Sequence, residues 1–199
     1  NLLDVTHLAY VHLTSIGTSA ITDFPIVTSR EGDTVRMTRW VVDRPAPPMY
    51  QKFGQYPGNA DRCQMVEFKP PAFCVNFAQV ADTGTGAPEG QQGTRRIEIM
   101  ALSAPTPETE TSTHYFFGFV RNFGVHDAEL HQMIQTNFTN VFKEDVAVLN
   151  AQQQRMTQFP NANEIDIKVD GPPKLARLVV SRLKAAEAQA KSPVQTAAE

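Results

Sequence analysis

The sequence predicts an α+β fold in which helices cover one side of a curved antiparallel sheet. Three observations carry this expectation. Residues 34–39 alternate Val35, Met37 and Arg39 against Thr34, Arg36 and Thr38, the period of a half-buried strand. Further strand-like segments follow between residues 62 and 123, divided by prolines and a glycine-rich loop. A long helical pattern then opens after Asp127 and continues beyond residue 150.

Taken in order, residues 1–15 (NLLDVTHLAYVHLTS) read as a short apolar helix that carries Asp4, His7 and His12. The strand that follows is stopped by Pro45, Pro47 and Pro48, and two strands around 62–68 and 72–80 are joined by Lys69, Pro70 and Pro71. The loop DTGTGAPEGQQG has neither a following Gly-Lys-Ser/Thr nor a helix start, which makes it a strand connection or pocket lid and not a phosphate cradle. IEIMALSAPTP and TSTHYFFGFVRNF are further strands. In the long helix, Asp127 is the predicted N-cap, and the apolar stripe steps through Leu130, Ile134, Phe138, Val141, Val148 and Leu149. Pro172 and Pro173 introduce a last helix with Leu175, Leu178, Val179 and Leu183 on one face. From about Ala185 the chain turns small and polar, so one domain over 1–184 and a frayed tail over 185–199 are expected.

Composition narrows the function. A chain of 199 residues suits one sizeable domain, and a net charge of −3 gives no reason to expect nucleic acid as a partner. No apolar run approaches the roughly 20 residues that span a bilayer, so no membrane partner is expected. Cys63 and Cys74 form neither a CxxC pair nor a disulfide framework; buried free thiols in a reducing cytoplasm are expected.

Asp145 falls on the buried stripe of the long helix, 11 residues after Ile134 and 7 after Phe138, with Lys143 and Glu144 directed elsewhere. A buried carboxylate needs a cation, hydrogen-bond donors or a metal. Backbone amides or Arg39 are one solution. His7 and His12 offer another, because two histidines and a carboxylate form a facial triad for ferrous iron. Five residues of α-helix rotate about 500°, leaving the two rings about 140° apart, so convergence requires a loosened turn such as a π-bulge. Surface or core roles for the two histidines remain open at this point. Asp4, one turn before His7, is placed either to accept the second imidazole proton or simply to favour a helix N-terminus. His114 reads as structural, and His126 and His131 as solvated.

The run N-x-x-D-x-x-H-x4-H in NLLDVTHLAYVH, then TPETETSTHYFFGFVRNFG, then FKEDVAVLNAQQ, in this order, resembles the catalytic domain of Rieske non-heme iron oxygenases, in the group of vanillate O-demethylase and dicamba monooxygenase. That resemblance implies a helix-grip (START/Bet v1-like) fold, an antiparallel sheet wrapped around a long C-terminal helix. It implies His7, His12 and Asp145 as ligands of a mononuclear Fe(II). It implies Asp4 as the carboxylate linking His7 to the electron-donating cluster of a neighbouring subunit, hence a homotrimer. Asn76 matches a substrate-contacting Asn. Ser103 stands where relatives carry a substrate-contacting His, and Thr136 or Asn137 where an aromatic packs on substrate. These departures imply a different aromatic acid or a different anchoring of it.

The Cys/His ligands of a 2Fe–2S Rieske cluster do not occur in this sequence, so a start at Asn1 fits a catalytic domain whose Rieske domain lies elsewhere. The implied activity is O2-dependent hydroxylation or O-demethylation of a small, vanillate-like aromatic acid. Electrons would come from NAD(P)H through a separate reductase; ring hydroxylation is the alternative within the superfamily. Phe73, Phe77, Phe116 and Phe138 are candidates for the pocket wall. A zinc hydrolase and a non-catalytic helix-grip binder are the rival classes.

Overall fold

The predicted alternation is realised in β2 (Thr34–Arg44), where Val35, Met37, Arg39 and Val41 are buried and the residues between them are not. In this computed structural model, which describes residues 1–162 and 165–191, β2 belongs to a six-stranded antiparallel meander. The other strands are β1 (Val27–Glu31), β3 (Ala60–Lys69), β4 (Phe73–Asp82), β5 (Ile97–Pro107) and β6 (Thr113–Arg121), paired in chain order. β1 is a strand that the alternation over residues 34–39 did not reveal. Glu31 pairs with Thr34 around the two-residue turn Gly32–Asp33, and Gly32 takes the φ of +57° that such a turn requires.

Directly paired residues share a face of the sheet. One row on the inner face therefore runs Arg39, Gln64, Ala78, Ile99, and the next runs Met37, Val66, Asn76, Ala101, Phe119. A third contains Phe68, Cys74, Ser103 and Phe117. Phe73, Phe77 and Phe116 lie on the opposite face, which corrects their assignment to an inner pocket: a one-residue offset along a strand reverses the side chain's direction. The loop after β4 is tied down by Asp61, whose buried carboxylate accepts from the N–H groups of Asp43 and Gly84 and from the Thr83 hydroxyl at 2.8–3.2 Å.

α1 (Pro48–Gly54) is a short helix begun at Pro48, where the prolines were expected only to stop a strand, while the expected long and last helices are α2 (Ala128–Gln158) and α3 (Gly171–Lys191). Asp127 caps α2, accepting from the Leu130 N–H at 2.8 Å. Ile134, Phe138 and Val141 are buried, but Val148 and Leu149 are exposed, contrary to the predicted stripe. Leu149 borders an open cleft whose far wall includes Cys74 and Tyr115, so its side chain is not covered by packing. On α3, Val179 and Ala176 are buried while Leu178 is exposed, a second departure from the predicted face. The helix continues to Lys191, past the Ala185 where fraying was expected; residues 192–199 of that expected tail lie outside the described residues.

Two apolar clusters result. One joins α3 and the N-terminal segment to the β2 side of the sheet, through Leu3, Val5, Leu8, Met37, Val66 and Val179. The other joins α1 and α2 to the β5 side, through Tyr50, Val80, Ile99, Ile134 and Phe138. Ile16 packs against both clusters, which places the N-terminal segment at their seam. Burying each of these large side chains contributes roughly 1.5–3 kcal/mol. Among the described residues no helix is long and apolar enough to cross a membrane.

Candidate metal centre

Residues 4–17 build two consecutive turns in place of the short helix expected of residues 1–15, loosened between His7 and His12 as their convergence requires. Asp4 opens the first: its carboxylate accepts the Thr6 N–H at 2.9 Å and starts a 3-10 turn over Val5–Ala9. Tyr10 and Val11 both donate to the His7 carbonyl, and Ser15 and Gly17 both donate to the His12 carbonyl. The departure from α geometry takes this form and not that of a π-bulge. Gly17 lies so close to the preceding turn that a Cβ there would sit 1.8 Å from the Leu8 carbonyl oxygen. Folding the segment back at Gly17 brings both imidazoles to one side.

There they meet Asp145 of α2. His12 Nε2 lies 3.2 Å and His7 Nε2 3.5 Å from the same Asp145 Oδ1, and one ligand atom from each residue falls within 4.8 Å of the others. Donors bound at about 2.0–2.2 Å to a single ion are separated by about 2.8–3.6 Å for angles between 90° and tetrahedral, so the triad needs little rearrangement to share one. The rings are 5.0 Å apart at 70° to one another.

The opposite ring nitrogens are occupied by groups that only accept. His7 Nδ1 contacts the Asp4 main-chain carbonyl, and His12 Nδ1 lies 2.6 Å from the Glu144 carboxylate, which also accepts from the Ser15 hydroxyl at 3.0 Å. Each contact holds the proton on Nδ1 and turns an Nε2 lone pair toward the centre. Glu144, expected to point elsewhere, is thus part of the site. One imidazole presents nitrogens on both sides, and consecutive helix residues project about 100° apart, so the ring bridges Glu144 and Asp145. Asp4 touches His7 with its carbonyl and not its carboxylate, because that carboxylate is engaged in capping the turn. Asn1 donates to Asp145 Oδ1 at 2.9 Å.

Burial pushes His7 below its ordinary pKa. Burial opposes charge on His12 as well, but the bonds to Asp145 and Glu144 outweigh it and raise the pKa. Burial would raise Asp145, yet its bonds to His12 and Asn1 hold it below the usual carboxylate range. An ionised carboxylate and two imidazole nitrogens, with His12 Nε2 exchanging the proton it shares with Asp145 for the incoming ion, form a donor set suited to a borderline divalent metal. Arg39, the alternative partner considered for Asp145, is buried on β2, where the nearby Asp4 charge partly offsets the burial that lowers its pKa.

Of the predicted substrate contacts, Asn76 and Ser103 lie on the inner face of the sheet, diagonal to each other across β4 and β5. Ser103 is buried and accepts from the Tyr115 hydroxyl at 3.0 Å. Asn137 is half-buried, two helical turns before Asp145; Thr136 is exposed and bonds back to the Gln132 carbonyl. Tyr115, Phe117 and Phe142 form an aromatic wall with centroids 4.7–5.3 Å from Phe142, joined by Phe119 stacked on Phe138. Asn1, Cys74, Tyr115, Leu149 and Lys184 line an adjoining cleft of about 930 Å³. His114 is exposed beside Glu108, and His131 stacks on Phe119 at the surface.

Residues 1–186 match the family model described as vanillate O-demethylase oxygenase C-terminal domain. The chain is 34% identical over 190 residues to the toluene-4-sulfonate monooxygenase system iron-sulfur subunit TsaM1 of Comamonas testosteroni, covering 94% of this chain and 55% of that protein. It is 33% identical over 195 residues to the vanillate O-demethylase oxygenase subunit of Pseudomonas sp. strain HR199, covering 96% and 55%. The crystal structure of dicamba monooxygenase bound to 3,6-dichlorosalicylic acid superimposes with a TM-score of 0.85 at 25% identity, over 94% of this chain and 55% of that one. The chain therefore spans about half the length of the relatives it matches.

Proposed function

The chain belongs to the vanillate O-demethylase oxygenase C-terminal domain family, and from that premise we propose that it is the catalytic domain of a Rieske-type oxygenase component acting on a small aromatic acid. The observation that carries the proposal is the convergence of His7 Nε2, His12 Nε2 and Asp145 Oδ1. Ferrous iron held there would supply oxygen activation, with electrons delivered from a 2Fe–2S cluster and a separate reductase.

The chain's own residues do the rest. Asp4 and Glu144 keep the Nδ1 protons in place so that both Nε2 atoms remain ligands, and Asn1 steadies the Asp145 oxygen. Phe119, Phe138 and Phe142 present apolar rings for the substrate, with Tyr115 and Phe117 continuing the wall to its exposed edge. Asn76 and Ser103 supply polar contacts to the substrate, with Asn137 on the helix side. The relatives are named for vanillate and toluene-4-sulfonate, both anionic arenes, which supports an aromatic acid as substrate class. Hydroxylation of a methyl or methoxy C–H bond, ending in O-demethylation where an aryl methyl ether is offered, is the reaction proposed. Asp4 would lie on the electron path from the cluster of a neighbouring subunit in a homotrimer.

Anaerobic titration of the metal-free protein with Co(II), a spectroscopic substitute for Fe(II), tests the site. One bound ion with an N2O-type d–d spectrum, lost in His7→Ala and His12→Ala, is expected. Undiminished binding in both variants overturns the assignment. In the full oxygenase, formaldehyde release from vanillate that requires both O2 and the reductase is expected, whereas a hydrolase would need neither.

A further inference from the structure

The inner face of the sheet carries a polar chain that the metal site does not use. Arg62 and Gln64, both buried on β3, sit two residues apart on that face, and Asn76 follows on β4. Arg62 Nη1 donates to the Ile16 carbonyl at 2.9 Å, and its guanidinium lies over the Tyr50 ring at 4.9 Å. Arg62 Nη2 donates to Gln64 Oε1 at 2.6 Å, and Gln64 Nε2 donates to Asn76 Oδ1.

The direction of this chain follows from chemistry. A guanidinium has no acceptor, so Gln64 must turn its oxygen to Arg62 and its NH2 onward. Asn76 must then meet that NH2 with Oδ1, leaving Nδ2 as its outward atom. Asn76 is the half-buried end of an otherwise buried chain. Diagonal to it, Ser103 accepts from Tyr115, which leaves the Ser103 proton available to a further acceptor.

We propose that Arg62 and Gln64 act as a relay fixing the Asn76 amide with its NH2 toward the inner face, so that Asn76 and Ser103 form a two-donor seat for an acceptor-only oxygen group, a substrate carboxylate or carbonyl. The proposal rests on the oxygenase reading in taking Asn76 and Ser103 as the substrate contacts, and what it adds is the relay through Arg62 and Gln64. Arg62 and Gln64 are positioning residues: neither touches the ligand, and both act through Asn76.

Gln64→Glu tests the relay, because a carboxylate between Arg62 and Asn76 accepts on both sides and forces Asn76 to flip, presenting Oδ1 to the ligand. Vanillate and its neutral aldehyde, vanillin, serve as probes, with affinities measured by titration calorimetry on the full chain. Both are expected to weaken about tenfold, the cost of replacing a donor by an acceptor at one contact. Gln64→Leu, which adds no charge, weakens both by a smaller factor and carries the test if Gln64→Glu does not fold.

Weakening of vanillate alone would be a charge effect and would overturn the relay. So would unchanged affinity in Gln64→Leu, or a wild-type protein that binds neither probe. Co(II) affinity is measured on the same samples and is expected to hold. A wild type that fails to bind Co(II) defeats the iron reading, while the ligand affinities still judge the relay on their own.

Discussion

One imidazole spans two consecutive carboxylates of α2: His12 Nδ1 lies 2.6 Å from Glu144 and His12 Nε2 lies 3.2 Å from Asp145. The ring is almost completely buried, at 1% exposure, while Glu144 is 32% exposed at the rim. A buried ring held from both sides cannot rotate, so the direction of its ligand nitrogen is fixed before any metal arrives.

Replacing Asp145 by Asn removes the charged ligand and keeps its size. Co(II) affinity is expected to fall by more than the roughly 10- to 100-fold that loss of an outer partner costs. Competition with a chelator measures it. Wild-type affinity in Asp145→Asn would mean that the two histidines bind metal without help from α2.

Glu144→Gln can still accept the His12 proton but loses the charge, so affinity is expected to drop by about tenfold. Glu144→Ala is expected to lose closer to 100-fold, because the ring is then held from one side only. The ordering of the two variants is the informative result. Equal affinities in wild type and Glu144→Ala would show that Ser15 and packing suffice to orient the ring.

Gly17→Ala places a Cβ 1.8 Å from the Leu8 carbonyl oxygen and 2.9 Å from that of His12, and both obstacles are backbone. The turn carrying both histidines must open. Destabilisation of about 2–4 kcal/mol is expected from this overpacking, together with weaker Co(II) binding. Urea unfolding followed by metal titration separates the two effects. A variant as stable as wild type would show that the turn is looser than its contacts indicate.

The thiols of Cys63 and Cys74 are both pushed up to about 11, chiefly by burial. A raised thiol pKa favours the protonated form until pH passes that value. At pH 8 the thiolate fraction is on the order of one in a thousand, and neither thiol is expected to react with Ellman's reagent in minutes. Both react at once in denaturant. Prompt labelling of the native protein would contradict the burial seen here.

Local pattern was enough to identify the strands from β2 onward, the N-cap of α2, the buried thiols and the anomaly of a carboxylate on an apolar stripe. Each of these depends on residues close together in the chain, where a period of two or of 3.6 ties sequence to facing. The motif blocks likewise pointed to His7, His12 and Asp145, because ligand chemistry restricts which residue types can serve. β1 escaped notice because the two-residue turn at Gly32–Asp33 leaves only five strand residues before it.

Tertiary structure alone decided what depends on register and on packing between distant segments. Which phenylalanines face inward followed from strand pairing, since one residue of offset reverses every side chain; Phe117 and Phe119 took the places expected of Phe73, Phe77 and Phe116. The exposure of Val148, Leu149 and Leu178 depended on how α2 and α3 seat against their neighbours, with Leu149 left at the edge of an open cleft, which no helical periodicity contains. Glu144 became a partner of His12 across 132 residues because the Gly17 turn directs a ring with two nitrogens at two adjacent helix positions. Periodicity encodes which face of an element is apolar, but the distance between two elements is fixed only when their side chains pack, and the triad is made of such distances.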